Sequence, residues 1–104
     1  MKFFKGKVVK LIDSYCFIIS KQIDEPLKED LRGVVYYEGE MIFDPDTNEA
    51  LECLAIIKGR FHITQVQDTI AWCRVLPKDD ADYNRSISDL GIQVGDLVSI
   101  YYKE

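Results

Sequence analysis

Residues 59–77, GRFHITQVQDTIAWCRVLP, constrain this chain more than any other stretch, because they read as two β-strands folded back on each other. Phe61 and Ile63 alternate with Arg60, His62 and Thr64, the period of two that sends successive side chains to opposite faces of a strand. Over residues 69–76 the chain is β-branched, aromatic or small, with no helix-forming run. Gln67 and Asp68 supply the reversal, and Pro77, which has no N–H to give to a ladder, ends the second strand. Register then decides what is inside. A two-residue loop sets Trp72 opposite Ile63, whereas one extra residue near Val66 sets Cys73 opposite Ile63 and Val75 opposite Phe61; the slip exchanges the faces completely. The second register is preferred, since it keeps Arg74 out of the core and gathers Ala71, Cys73 and Val75 with Phe61 and Ile63. Arg60, His62, Thr64, Trp72 and Arg74 then share the opposite face.

The flanking chain reads as further strands. VVKLI and YCFII form an opening pair joined at Asp13-Ser14. KQIDEPLKEDLR, residues 21–32, is a charged loop with one helical turn over 27–31. GVVYYEGEMIF is a strand, or a pair interrupted at Glu38-Gly39, with Tyr36 and Tyr37 on opposite faces. DPDTNE, residues 44–49, is a turn: Pro45 pre-sets its backbone, and Asp and Asn cap their own main chain. Asp44, Asp46 and Asn48 mimic the first ligands of a calcium loop, but its glycine position holds Glu49 and its closing glutamate position holds Ala55, so a connecting turn is the better reading. Residues 51–57 lead into the central hairpin as one long strand, bent at Gly59. KDDADYNRS, residues 78–86, is a mobile polar loop, and the last strand covers 97–102. First and last strands can pair, and closure hides the edges of an all-β chain. The expected fold is all-β: a single domain over residues 1–104, a small closed or partly open antiparallel β-barrel, SH3-like or OB-like, of about six strands with one short helical turn.

At 104 residues, 47% of them hydrophobic, the chain can bury a core without staples. Eighteen acidic against 13 basic residues argue against a general grip on nucleic-acid phosphate. Cys16, Cys53 and Cys73 are far apart, no CxxC pair exists and His62 is the only histidine, so neither a zinc site nor any other cofactor is expected. The cysteines read as reduced thiols in apolar strands, which suits a reducing cytoplasm. Lysines interrupt the N-terminus before an apolar secretory segment forms, and no run approaches a membrane span. A cytoplasmic location is the expectation, unless the chain is a trimmed piece of an exported protein.

The order of GKVVKLIDSYCFII, GEMIFDPDTNEAL, GRFHITQVQDTIAWCRVL and IQVGDLVSIYY resembles the small β-barrel domain that closes the bacterial flagellar assembly protein T, and related modules of envelope-associated proteins. The turn matches at Asp44, Pro45, Thr47, Glu49 and Leu51, the hairpin at Gly59, Phe61, Ile63, Thr64 and Val66, and the close at Gly95, Asp96 and Val98. These are turn and core positions that span nearly the whole chain. The resemblance implies a small barrel acting as a binding or assembly accessory module.

The leading functional expectation is therefore a non-catalytic interaction module with a protein partner or with itself, using Trp72 among Arg60, His62, Thr64 and Arg74, because Trp and Arg dominate interface centres. The plainer account of Trp72 is that it lies under the loop over 78–88. The alternative is an OB-like barrel that binds single-stranded nucleic acid, using Lys2, Lys5, Lys7 and Lys10 with Trp72 and Tyr36 or Tyr37 as stacking platforms; as an edge strand, the same lysines simply deter unwanted pairing. Catalysis is not expected. His62 could be drawn as a general base and a cysteine as a nucleophile, but no positioned partner is visible.

Overall fold

The Val- and Ile-rich runs all extend, as their β-branched side chains favour. The computed structural model describes residues 2–23, 25–76 and 85–102. Its elements in chain order are β1 (Lys2–Leu11), β2 (Cys16–Ser20), β3 (Arg32–Phe43), β4 (Ala50–Val66), β5 (Ile70–Val75), α1 (Ile87–Leu90) and β6 (Leu97–Tyr102). The strands run round a ring in the order β1-β2-β5-β4-β3-β6, every neighbouring pair is antiparallel, and β6 pairs back onto β1. The chain is thus an all-β small barrel closed by its two terminal strands. Most of the acidic loop over 78–86 lies outside the described residues.

The central hairpin takes the register that keeps Arg74 out of the core. Phe61 stands opposite Val75 and Ile63 opposite Cys73, with the extra residue at Thr64, between Ile63 and Gln65. All five intended core residues of this hairpin are buried. Val8, Phe17, Ile19, Val35, Val98 and Ile100 join them from the other strands, and Leu27, Ile87 and Ile92 complete the same cluster from the connections. The rings of Phe17 and Phe61 meet edge to face, 5.3 Å between centroids, a favoured aromatic geometry.

The connections follow their polar residues. Asp13 turns β1 into β2 by accepting the N–H groups of Tyr15 and Cys16 at 2.8 and 2.9 Å. Those two bonds hold its carboxyl below the usual range. The helical turn expected over residues 27–31 does not form. Asp30 adopts φ 72°, a left-handed conformation that interrupts a helix, its N–H donates to the Ile63 carbonyl at 2.8 Å, and Leu27 is drawn into the core. The helical turn lies instead at Ile87–Leu90, where Ser86 and Asp89 cap each other: the Ser86 hydroxyl accepts the Asp89 N–H and the Asp89 carboxylate accepts the Ser86 N–H. Gly91, at φ 73°, ends it.

Glycine permits the close approach of neighbouring strands in the ring at Gly33. At Gly33, opposite Phe61, an added Cβ would sit 2.5 Å from the Ser99 carbonyl oxygen and 2.9 Å from Cζ of Phe61. The first obstacle is backbone and cannot rotate away. Gly33→Ala should therefore lower stability by about 1–3 kcal/mol, the usual cost of overpacking. Denaturant unfolding checks this; an unchanged midpoint would mean that β3 and β6 separate without loss.

Candidate functional site

Strand lengths create the most unusual surface. β3 pairs with β6 only as far as Tyr36, opposite Leu97, and β4 pairs with β5 only from Phe61, opposite Val75. Beyond those points residues 37–43 and 50–56 pair with each other alone, so β3 and β4 leave the ring as a two-stranded ribbon. Seven residues of strand at roughly 3.3 Å each make it about 23 Å long. The DPDTNE turn closes its tip: Asp44 accepts the N–H of Asp46 at 2.8 Å, and Asn48 takes φ 61°. Asp44 thus spends a carboxylate oxygen on its own turn.

The ribbon is apolar where a solvated hairpin would be polar. Tyr37, Met41, Phe43, Leu51, Leu54, Ile56 and Ile57 are all between 38% and 60% exposed. Three register shifts bend it, after Val35, after Glu38 and after Ile42, as bulges do. On the outer side, Tyr36, Glu38, Cys53 and Ile57 from the ribbon's root and Phe3 and Lys5 from β1 line an open groove of about 470 Å³. Among the described residues this groove brings a lysine together with two aromatic side chains, and it also holds Glu38 and Glu52.

Lys58 fixes the root. It is the extra residue of the first shift, since Val35 faces Gly59 while Tyr36 faces Ile57. Its Nζ donates to Asp96 Oδ2 and to the Gly91 carbonyl, both at 2.8 Å, and lies 5.2 Å from the centre of the Tyr37 ring. The two charged side chains are only 16% and 11% exposed. Asp96 Oδ2 also accepts the Gln93 N–H at 2.8 Å. A mostly buried pair satisfied on both sides in this way resists displacement, because removing either partner strands the other charge.

The five residues expected to form an interaction surface, Arg60, His62, Thr64, Trp72 and Arg74, do fall on the outer side of the β4 and β5 strands. Little apolar area is offered there. Trp72 is half-buried, with its indole N–H donated to Gln67 Oε1 at 2.8 Å, and Thr64 donates its hydroxyl to the Trp72 carbonyl at 3.2 Å. Arg74 lies over the Tyr15 ring at 5.3 Å. The loop invoked over Trp72 lies outside the described residues for its first part, through Asn84. Of the basic candidates, Lys5, Lys7 and Lys10 are exposed on β1, while the side chain of Lys2 lies outside the described residues.

The catalytic drawing gains no geometry. His62 Nδ1 is 4.0 Å from Asp30 Oδ1, beyond hydrogen-bond length, and the Asp30 side chain is 93% exposed. Cys73 faces the interior, away from His62, and burial pushes its thiol well above the ordinary cysteine range, which disfavours the reactive thiolate. Cys16 is opposite Arg74, which is opposite His62, so two strand spacings, about 9–10 Å, separate the backbones of Cys16 and His62.

Neither models of known protein families nor the curated proteins match this sequence. The surface sequence reasoning missed is the ribbon with its Lys58 anchor. Its signal was length: strands of 12 and 17 residues exceed the five or six of their ring partners, and the overhang had to go somewhere.

The thiols give a direct check. An aromatic disulfide reagent should titrate Cys16 and Cys53, both half-buried, in the native protein, and Cys73 only after denaturation. Rapid release of all three equivalents from native protein would contradict the buried position of Cys73.

Proposed function

We propose that this protein is a non-catalytic protein-interaction or assembly module whose working surface is the ribbon and the groove at its root. One observation carries the reading: seven large apolar side chains stand exposed on a two-stranded projection. A lone hairpin is marginal in water, and clustered exposed apolar area marks interaction sites. The resemblance to the closing barrel of flagellar assembly protein T agrees with an accessory role, and the expected Trp72 face is the competing surface on the same molecule. Three unpaired thiols fit a reducing compartment, the cytoplasm. No described helix is long and apolar enough to cross a membrane.

Affinity capture from the source cells tests the two surfaces against each other. The double variant Leu54→Lys/Ile57→Lys should reduce recovery of the bound partner by about tenfold or more, the loss expected when interface anchors are removed. Both positions are exposed, so folding should be nearly unaffected. Trp72→Ala should retain the partner. Loss with Trp72→Ala and retention with the double variant would move the site to the β4 and β5 face; retention by both would defeat the reading.

The second reading, single-stranded nucleic-acid binding, has one observation in its favour: Lys5 lies in one groove with Phe3 and Tyr36. Two carboxylates share that groove and oppose phosphate. It predicts a salt-dependent rise in the anisotropy of a labelled oligonucleotide that Lys5→Glu abolishes; no change at low salt dismisses it.

A further inference from the structure

The groove at the ribbon's root, which takes Ile57 from among the seven exposed apolar side chains, has a second property that specifies what covers it. Glu38, Glu40, Asp44, Asp46, Glu49 and Glu52 all lie on the ribbon, and residues 33–57 contain no lysine or arginine. Removing these six from the 18 acids leaves twelve against 13 bases, so the chain's whole negative excess resides on its projecting part. We propose that the occupant is a segment of another protein in which a short apolar run is flanked by lysine or arginine, seated with its apolar side chains against Tyr36, Cys53 and Ile57 and its basic ends toward Glu38 and Glu52. This deepens the interaction-module reading and rests on it.

The charges choose among occupants. Two ribbons packed together would bring twelve carboxylates to one interface with no base between them, and like charges across an interface cost several kcal/mol. Nucleic-acid phosphate meets the same repulsion. A purely apolar partner would cover Glu38 and Glu52 without replacing their water, and a buried carboxylate needs a partner. A basic–apolar segment satisfies both parts of the surface at once, with the cations steering encounter and the apolar contacts slowing release.

The probe is acetyl-Lys-Lys-Leu-Val-Phe-Leu-Lys-Lys-amide, titrated into isotope-labelled full chain at about 50 mM salt, where surface charge is weakly screened. Amide shifts should map to the ribbon and to β1 beside Phe3 and Lys5. Binding should weaken roughly tenfold when glutamates replace the peptide's lysines, when serines replace its apolar run, and when the protein carries Glu38→Lys/Glu52→Lys. Glu40→Gln, outside the groove lining, is the milder variant that keeps the test readable if the double reversal disturbs folding: its loss should be smaller but of the same sign. Equal binding of the serine peptide would mean charge attraction alone and overturn the proposal. So would shifts on the β4 and β5 face, failure of the lysine peptide to bind, or sedimentation showing a dimer that Ile57→Lys dissolves, since a second copy would then be the occupant. The module reading itself fails by a different result, a captured partner insensitive to both surface variants.

Discussion

Everything in this structure follows from a mismatch of strand lengths around a closed ring. Six strands close only where each meets two neighbours, and β2, β5 and β6, with five or six residues each, set how far that can go. β3 and β4, at 12 and 17 residues, satisfy closure with part of their length and must leave with the rest. The last inward pair is Val35 with Gly59, where Leu90 of α1 lies 2.8 Å from the position a Cβ would take at Gly59. The helical turn caps the barrel at the point where the ribbon departs. One geometric fact therefore produces both the sealed core and the unsealed projection.

The barrel was legible because its signals are local. Alternation of Phe61 and Ile63, the β-branched, aromatic and small residues over 69–76, the Asp13 reversal and the DPDTNE turn each act within a few residues, and burial of Arg74 was enough to reject the wrong register. The helical turn over 27–31 was misplaced because composition around Pro26 says nothing about Ile63, whose carbonyl takes the Asp30 N–H and holds that residue in a left-handed conformation. The ribbon was hidden for a related reason. ALECLAII reads as strand but carries no alternation to say which face is covered; only the lengths of strands elsewhere in the chain reveal that nothing remains to bury it. Lys58 bonded to Asp96, 38 positions apart, left no trace in spacing at all.

That ion pair governs how the projection behaves. A hairpin joined to a barrel by two covalent strands alone could swing, and any groove at its base would open and close with it. Here the bulge at Lys58 turns an ammonium toward the loop before β6, where a carboxylate and a carbonyl receive it, while the ribbon's own Tyr37 ring lies 5.2 Å away. The charges are largely out of water, so the interaction is weakly screened and its geometry is held by several bonds rather than one. The groove wall formed by Tyr36 and Ile57 flanks this anchor in sequence and is thereby set before any partner arrives. A preformed site spares its partner the cost of ordering it.

The carboxylates along the ribbon resolve an apparent contradiction in its composition. An exposed hairpin with apolar residues on its surface and free strand edges is the kind of element that draws copies of a protein into sheets. Natural edges are commonly protected with lysine, yet this one has none between Gly33 and Ile57. Acidic residues alone do the same work against self-association, because every copy presents the same sign. They differ from a mixed charge pattern in what they admit: mixed charges would repel no partner in particular, whereas a single sign rejects acidic and phosphate-bearing surfaces and leaves basic ones. Covering Glu38 without a cation would forfeit its hydration, so discrimination comes as much from the penalty on wrong partners as from attraction to the right one. On the interaction-module reading proposed above, the device that keeps the apolar ribbon solvated in isolation is also the one that selects what covers it.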